Sequence, residues 1–244
     1  MCKRVALYTA EMKKLALTVA TFLLTFITPV AFGANSVSVF AASSLTETYT
    51  QLGKDFERAH AGIKINFSFL ASSTLATQIK SGATADIFVS ASPVDMKGIA
   101  PGVNYLVNRV VLAVPKNSAI TKLLDLNNKV IWIQCAHEVP CGAAADAALI
   151  GEGVNTKPVS YEPKVSSAVA KIVAGEVDAA IIYKTDVLAN SKKLRAIEFT
   201  NQQAASTTYQ IAQLRKNHWA STFMDYLQSK KALKYLQSKG FDTK

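Results

Sequence analysis

This chain has little with which to do covalent or metal chemistry. It carries three histidines in 244 residues, His60, His137 and His218. No serine stands in the G-x-S-x-G elbow around which a hydrolase triad is built, so the expectation is that the protein is not an enzyme. No apolar run reaches the roughly 20 residues that a membrane-crossing helix needs. The lysines are scattered, without the basic and aromatic stripe that marks a nucleic-acid surface, and no nucleic-acid partner is expected. Lys230, Lys231, Lys234 and Lys239 fall among apolar residues on a helical pattern and read as a solvated face. Acidic residues are outnumbered, 17 to 27, for a formal charge of +10. That excess favours anionic partners through long-range steering without naming one.

The first 34 residues have the form of a secretory signal peptide. Lys13 and Lys14 precede an apolar run over 15–27, followed by Pro29 and the small-residue exit Ala31-Phe32-Gly33-Ala34. Cleavage fits after Gly33 or after Ala34, and Met12 fits as an alternative start. Cys2 lies ahead of the apolar run, so it is not placed as a lipoprotein cysteine. The expectation is a soluble, exported, periplasmic protein of about 210 residues, enough for one large domain or two small ones. Lys3, Arg4, Lys13, Lys14 and Glu11 account for three units of the charge, which leaves +7.

Cys135 and Cys141 remain after the leader. A pair in an oxidising compartment is most simply a disulfide. Free thiols and a metal site are the alternatives, because Cys135, His137, Glu138 and Cys141 offer zinc or copper ligands within seven residues. Their spacing matches no established zinc pattern.

Strand and helix patterns alternate along the rest of the chain, which predicts an α/β protein with helices on both faces of mainly parallel sheets. Strands are expected over 37–41, 63–69, 86–90, 130–134 and 179–182. Helices are expected over 45–60, after the serine turn at 71–74, over 143–149, and from Val165 to a stop at Gly175. The stretch 93–105 reads as a short helix and a Pro-Gly turn. The apolar run 107–114 suits a crossover between two lobes. Residues 195–213 read as a return to the first lobe, where 219–240 form terminal helices. The expected division is lobe 1 from 35–112, lobe 2 from 113–194, and a return to lobe 1 over 195–244.

The strand ends carry the functional argument. Val39-Phe40-Ala41-Ala42-Ser43-Ser44 runs straight into a helical pattern of Leu45, Tyr49, Leu52 and Phe56. Ser44 with Glu47 has the spacing of a capping box. Such a junction sets a hydroxyl and unpaired N–H groups at the positive end of a helix, which is a ready anion site. The chain repeats the device at Ser72 and Ser73, at Pro140-Cys141-Gly142, near Val165, and at Tyr183 after a late strand. Ligands of open α/β sheets sit beyond the carboxyl ends of strands. A small dianion held there by neutral, oriented dipoles is desolvated without a counter-charge.

These segments resemble the motifs of periplasmic molybdate-binding proteins of ABC importers, within the type II periplasmic binding protein family. The resemblance rests on 39–46, on 69–79, on Ala85-Asp86-Ile87-Phe88-Val89-Ser90-Ala91, on Glu138-Val139-Pro140-Cys141-Gly142 and on Ile181-Ile182-Tyr183, in order along the chain. It implies a two-lobed, monomeric binding protein that closes around one molybdate or tungstate and delivers it to a membrane permease, with no cofactor. Position by position it implies hydroxyls and amides from Ser44 and Ser72, amides from Cys141 and Val165, and the Tyr183 hydroxyl. Ser43 and Ser73 are neighbours that serve if the register differs by one. The chain departs from the family at Cys141, where a small residue such as alanine is usual, and at Gln134-Cys135-Ala136, which lacks a proline-containing turn. A Cys135–Cys141 bridge would replace that turn as a clamp. The alternatives are a carrier of another oxyanion, such as sulfate or phosphate, and a metal-cation carrier using Cys135, His137 and Cys141.

Overall fold

The first strand, β1 (Ser36–Ala42), is apolar on both sides from Val39 to Ala42, where it is covered on both sides. Val37, Val39 and Ala41 enter one core and Phe40 enters another. β1 runs parallel to β2 (Lys64–Leu70) and to β3 (Ile87–Ser90), which repeats the alternation with Ile87 and Val89 on one face and Phe88 on the other. This computed structural model describes residues 35–243, so the leader expected over 1–34 lies outside the described residues. Among the described residues no helix is long and apolar enough to cross a membrane.

Helix α1 (Thr46–Ala59) turns Tyr49, Leu52 and Phe56 into the first core at three- and four-residue spacing. Burying side chains such as Leu52 and Phe56 contributes about 1.5–3 kcal/mol each. The same core receives α7 (His218–Leu227) and α8 (Lys230–Ser238) through Phe223, Leu227, Ala232 and Leu236. The opposite face of the sheet is covered by α2 (Ser72–Lys80) and α3 (Pro93–Met96). The helix of the 93–105 stretch is thus only four residues long. Its Pro-Gly turn feeds directly into β4 (Val103–Pro115), which already contains Tyr105.

β4 joins two sheets. Its first part, from Val103 to Arg109, pairs antiparallel with β9 (Ser206–Gln213), which also pairs antiparallel with β3. Its second part, from Val110 onward, pairs antiparallel with β7 (Ala179–Tyr183) and β8 (Leu194–Ile197). β5 (Trp132–Cys135) then lies parallel to β7 and to β6 (Ser160–Glu162). The short β10 (Asp242–Thr243) closes against Leu106 and Val107 of β4. Parallel pairing therefore occupies the outer part of each sheet, and antiparallel pairing the shared middle. β8 stays with the second sheet, and the chain re-enters the first sheet through β9.

The second sheet has its own core. Helices α4 (Pro140–Leu149), α5 (Val165–Ala174) and α6 (Lys184–Ala189) pack Ala145, Ala148, Ala168, Ile172 and Val187 against Val111, Trp132 and Ile181. Helix α5 stops at Gly175, whose φ of 78° suits the left-handed cap position.

Candidate functional site

The carboxyl ends of the strands from both sheets converge on one small cavity. The first sheet contributes Ala42, Ser43 and Ser44 after β1, Ala71 and Ser72 after β2, and Ala91 after β3. The second contributes Val139, Pro140 and Cys141 at the start of α4, Lys164 and Val165 at the start of α5, and Tyr183 at the end of β7. Ser43, Ser44, Ser72, Cys141, Val165 and Tyr183 thus stand around one space. Ser73 does not line it; its carbonyl accepts a hydrogen bond from Thr77 Oγ1 at 2.9 Å.

Each wall is built to give hydrogen bonds. Ser72 is buried, and its Oγ accepts the N–H of Ala91 at 2.9 Å, which leaves its own hydrogen to donate. Ser44 Oγ and Tyr209 OH lie 2.7 Å apart. The Tyr183 hydroxyl is buried with no hydrogen-bond partner. Helices α2, α4 and α5 all begin at the cavity, and none has its first turn capped by a side chain, so their leading N–H groups are left for a ligand. Tyr183 is held by its own backbone, whose N–H donates to Asp186 Oδ2 at 3.2 Å.

The capping-box reading of Ser44 is corrected here. Residues Ser43–Leu45 form a 3-10 turn ahead of α1, the cap position falls on Leu45, and no side chain caps that helix. Glu47 turns outward to Lys239, at 3.7 Å. The tertiary bond to Tyr209 takes the hydroxyl that local spacing assigned to the helix end.

The wall at α4 is fixed by two constraints. Cys135 and Cys141 are joined as a disulfide, so neither sulfur is available as a metal ligand. His137 pairs instead with Asp146, Nδ1 to Oδ2 2.5 Å, and Glu138 is exposed. The metal-carrier alternative on Cys135, His137 and Cys141 is overturned by that bond. Among the described residues no three His, Cys, Asp or Glu side chains are grouped to hold a metal ion. Beside the disulfide, Gly142 packs against Ala136 so tightly that a Cβ would meet the carbonyl oxygen at 1.8 Å.

A larger cavity, about 430 Å³, adjoins the small one through Ser43 and Ser44. It is lined by Glu47, Asp186 and Lys239 among others. Burial pushes Asp186 up to about 7; the nearby Glu47 charge adds to this, and the Tyr183 N–H opposes it. Glu47, joined by Asp186 once that group ionises, makes the space unfavourable for a dianion. The small cavity holds no carboxylate, and Lys164 is its one charged lining residue. Lys164 and Tyr209 were not foreseen: the first merely precedes a helix, and the second acts across 165 residues of sequence.

Residues 37–242 match the bacterial extracellular solute-binding protein family. The chain belongs to that family. It is 34% identical over 194 residues to the molybdate-binding protein ModA of Mycobacterium tuberculosis, covering 75% of this chain and 74% of that one. Its fold matches the Azotobacter vinelandii periplasmic molybdate-binding protein with a TM-score of 0.73 at 17% identity, over 84% of this chain and 98% of that one. The sulfate-binding protein SubI of Mycobacterium tuberculosis matches at 0.65 and 16% identity, over 85% and 86%. The two-lobed periplasmic binding-protein fold follows. This solute-binding protein is not an enzyme, and none of its three histidines lines the small cavity. His60 stacks on Phe56, His137 pairs with Asp146, and His218 packs beside Trp219.

Proposed function

We propose that this solute-binding protein captures molybdate or tungstate in the small cavity and delivers it to the permease of an ABC importer. The Ser44, Ser72 and Tyr183 hydroxyls and the N–H groups of Ser44, Ser72, Cys141 and Val165 hold the ion, with Ser43 beside them. The protein acts as a monomer outside the cytoplasm, exported by the leader at 1–34. The division expected at 112/113 and 194/195 moves, because β8 and Phe199 belong to the second sheet and its core: residues 35–109 with 206–243 form one lobe, and 110–205 form the other.

The observation that carries this reading is the state of the donors. Ser72 has its oxygen already engaged from behind, Tyr183 has a buried hydroxyl without a partner, and three helices start uncapped at one point. A tetrahedral oxyanion satisfies all of them at once. The cavity measures about 10 Å³, near the least that accommodates one water molecule. Admitting an anion therefore requires the two walls to part, and their approach assembles the donors, which couples binding to shape. Charge cannot separate molybdate from sulfate, because both are dianions. The spacing of the walls does so, since a smaller ion leaves donors unmatched.

The test is calorimetric titration of the mature, anion-free protein with molybdate, tungstate, sulfate and phosphate. One-to-one binding of the first two, with sulfate and phosphate bound far more weakly, is the expected result. Preference for sulfate or phosphate would reassign the cargo, and silence to all four would remove the oxyanion from the cavity.

A further inference from the structure

Ser44 differs from Ser72 in that the partner behind its oxygen is not a backbone group. At Ser72 the partner behind the oxygen is the Ala91 amide, which can only donate. At Ser44 the partner is the phenol of Tyr209, 2.7 Å away, and in a pair of hydroxyls either oxygen can be the donor. The surroundings of Tyr209 decide the direction. It is wholly buried on β9, its ring edge-on to Phe241 and tilted against Tyr183. Asn108 also stands beside the phenol, but its Nδ2 can only donate and its Oδ1 already accepts the Arg109 N–H. A buried hydroxyl hydrogen needs a protein acceptor, and Ser44 Oγ is the one at hydrogen-bond distance. Burial also raises the phenol above its ordinary pKa, so it keeps that hydrogen to give.

We infer that Tyr209 is a positioning and specificity residue for the oxyanion: by donating to Ser44 it turns the serine hydrogen toward the ion and leaves this wall able to give hydrogen bonds but not to receive them. The inference rests on the anion site proposed above. Two hydroxyls share two hydrogens; once the phenol spends its own on Ser44, the hydrogen of Ser44 is released to the cavity. An oxyanion without a proton accepts from every wall. Hydrogen phosphate carries one O–H that must find an acceptor, and the lining has no carboxylate to provide one. Its hydrogen finds only hydroxyl oxygens, and each that turns to accept it gives up its own bond to the ion, which is costly in a buried site.

The experiment compares the wild-type protein with Ser44→Ala, Tyr209→Phe and the double variant. Each is titrated with sodium molybdate and with inorganic phosphate at a pH where phosphate carries one proton. Tyr209→Phe keeps the ring and removes only the hydroxyl. It is expected to weaken molybdate about tenfold while phosphate binding holds or tightens, so the ratio of the two falls by about that factor. Added to Ser44→Ala, it is expected to cost less than about twofold more, because Tyr209 acts only through Ser44. A purely structural role would weaken both anions alike. If the phenylalanine variant does not fold, 3-fluorotyrosine at 209 serves instead; its stronger donor should tighten molybdate and weaken phosphate. Equal losses for the two anions, additive losses in the double variant, or no change on altering Tyr209 would overturn the inference. Unaltered molybdate binding by Ser44→Ala would overturn the site itself, a separate outcome from failure at Tyr209 alone.

Discussion

Gly142 stands against the backbone of Ala136 with no room for a side chain: a Cβ would fall 1.8 Å from the Ala136 carbonyl oxygen and 2.7 Å from that of Cys135. Backbone cannot yield as a flexible side chain can, so the start of α4 would have to shift. Gly142→Ala should therefore destabilise the protein by about 1–3 kcal/mol and weaken molybdate binding at least tenfold. Urea unfolding with parallel titration measures both. A variant of unchanged stability and affinity would show that the wall tolerates movement.

The Cys135–Cys141 bridge closes a short span, six residues in sequence. In the loop-entropy treatment a span of this size contributes about 2 kcal/mol. Replacing both cysteines by alanine should lower stability by about that amount and weaken anion binding severalfold, because Cys141 lies on the cavity wall. Dithiothreitol added to the native protein should act in the same direction, read as a lower urea midpoint.

Ser44 and Ser72 together should carry most of the affinity. Hydrogen bonds to a charged group are worth about 1.5–3 kcal/mol each, so the double Ser44→Ala, Ser72→Ala variant should lose about 100-fold or more. Stability should drop as well, since the Ala91 N–H and the Tyr209 hydroxyl both lose their partner. Far-UV circular dichroism separates lost binding from lost fold.

The turns of this site were legible because each combines a change of period with a hydroxyl or small residue at one place. The apolar strand before Ser43 gives way to helical spacing, and the same happens before Ser72. The Cys135–Cys141 pairing was the simplest of three open readings until the bond was seen. Tertiary partners were not legible. Ser44 and Glu47 have the spacing of a capping box, yet a residue 165 positions away takes the serine hydroxyl. β9 alternates Thr207, Tyr209 and Ile211 toward the interior, but a buried threonine conceals that period from a hydropathy reading. β6 has only three residues, and β8, with Arg195 inside it and only Leu194 buried, lacks the apolar run that opens the equally short β3 and β5.

Asp186 gives the protein a dependence on pH. Its folded-state value of about 7 lies above the ordinary 3.8, so the folded chain holds a proton that the unfolded chain releases. Stability should therefore fall as pH rises from the ordinary carboxylate range through about 7, and level off above. Asp95, raised to about 6 by burial, acts in the same direction. Asp186→Asn keeps an acceptor for the Tyr183 N–H and should flatten much of the slope. Thermal midpoints between pH 5 and 8 for both proteins check this; parallel curves would remove Asp186 as the cause.

The most direct test of the account is to locate the metal atom of the cargo. Crystals of the mature protein grown with sodium molybdate, with diffraction data collected at the molybdenum edge, give its position without prior assumptions. The expected map has one strong peak in the small cavity, with oxygens bonded to Ser44, Ser72 and Tyr183 and to the N–H groups of Cys141 and Val165. A peak in the larger cavity beside Asp186 and Glu47, or no peak at all, would contradict it.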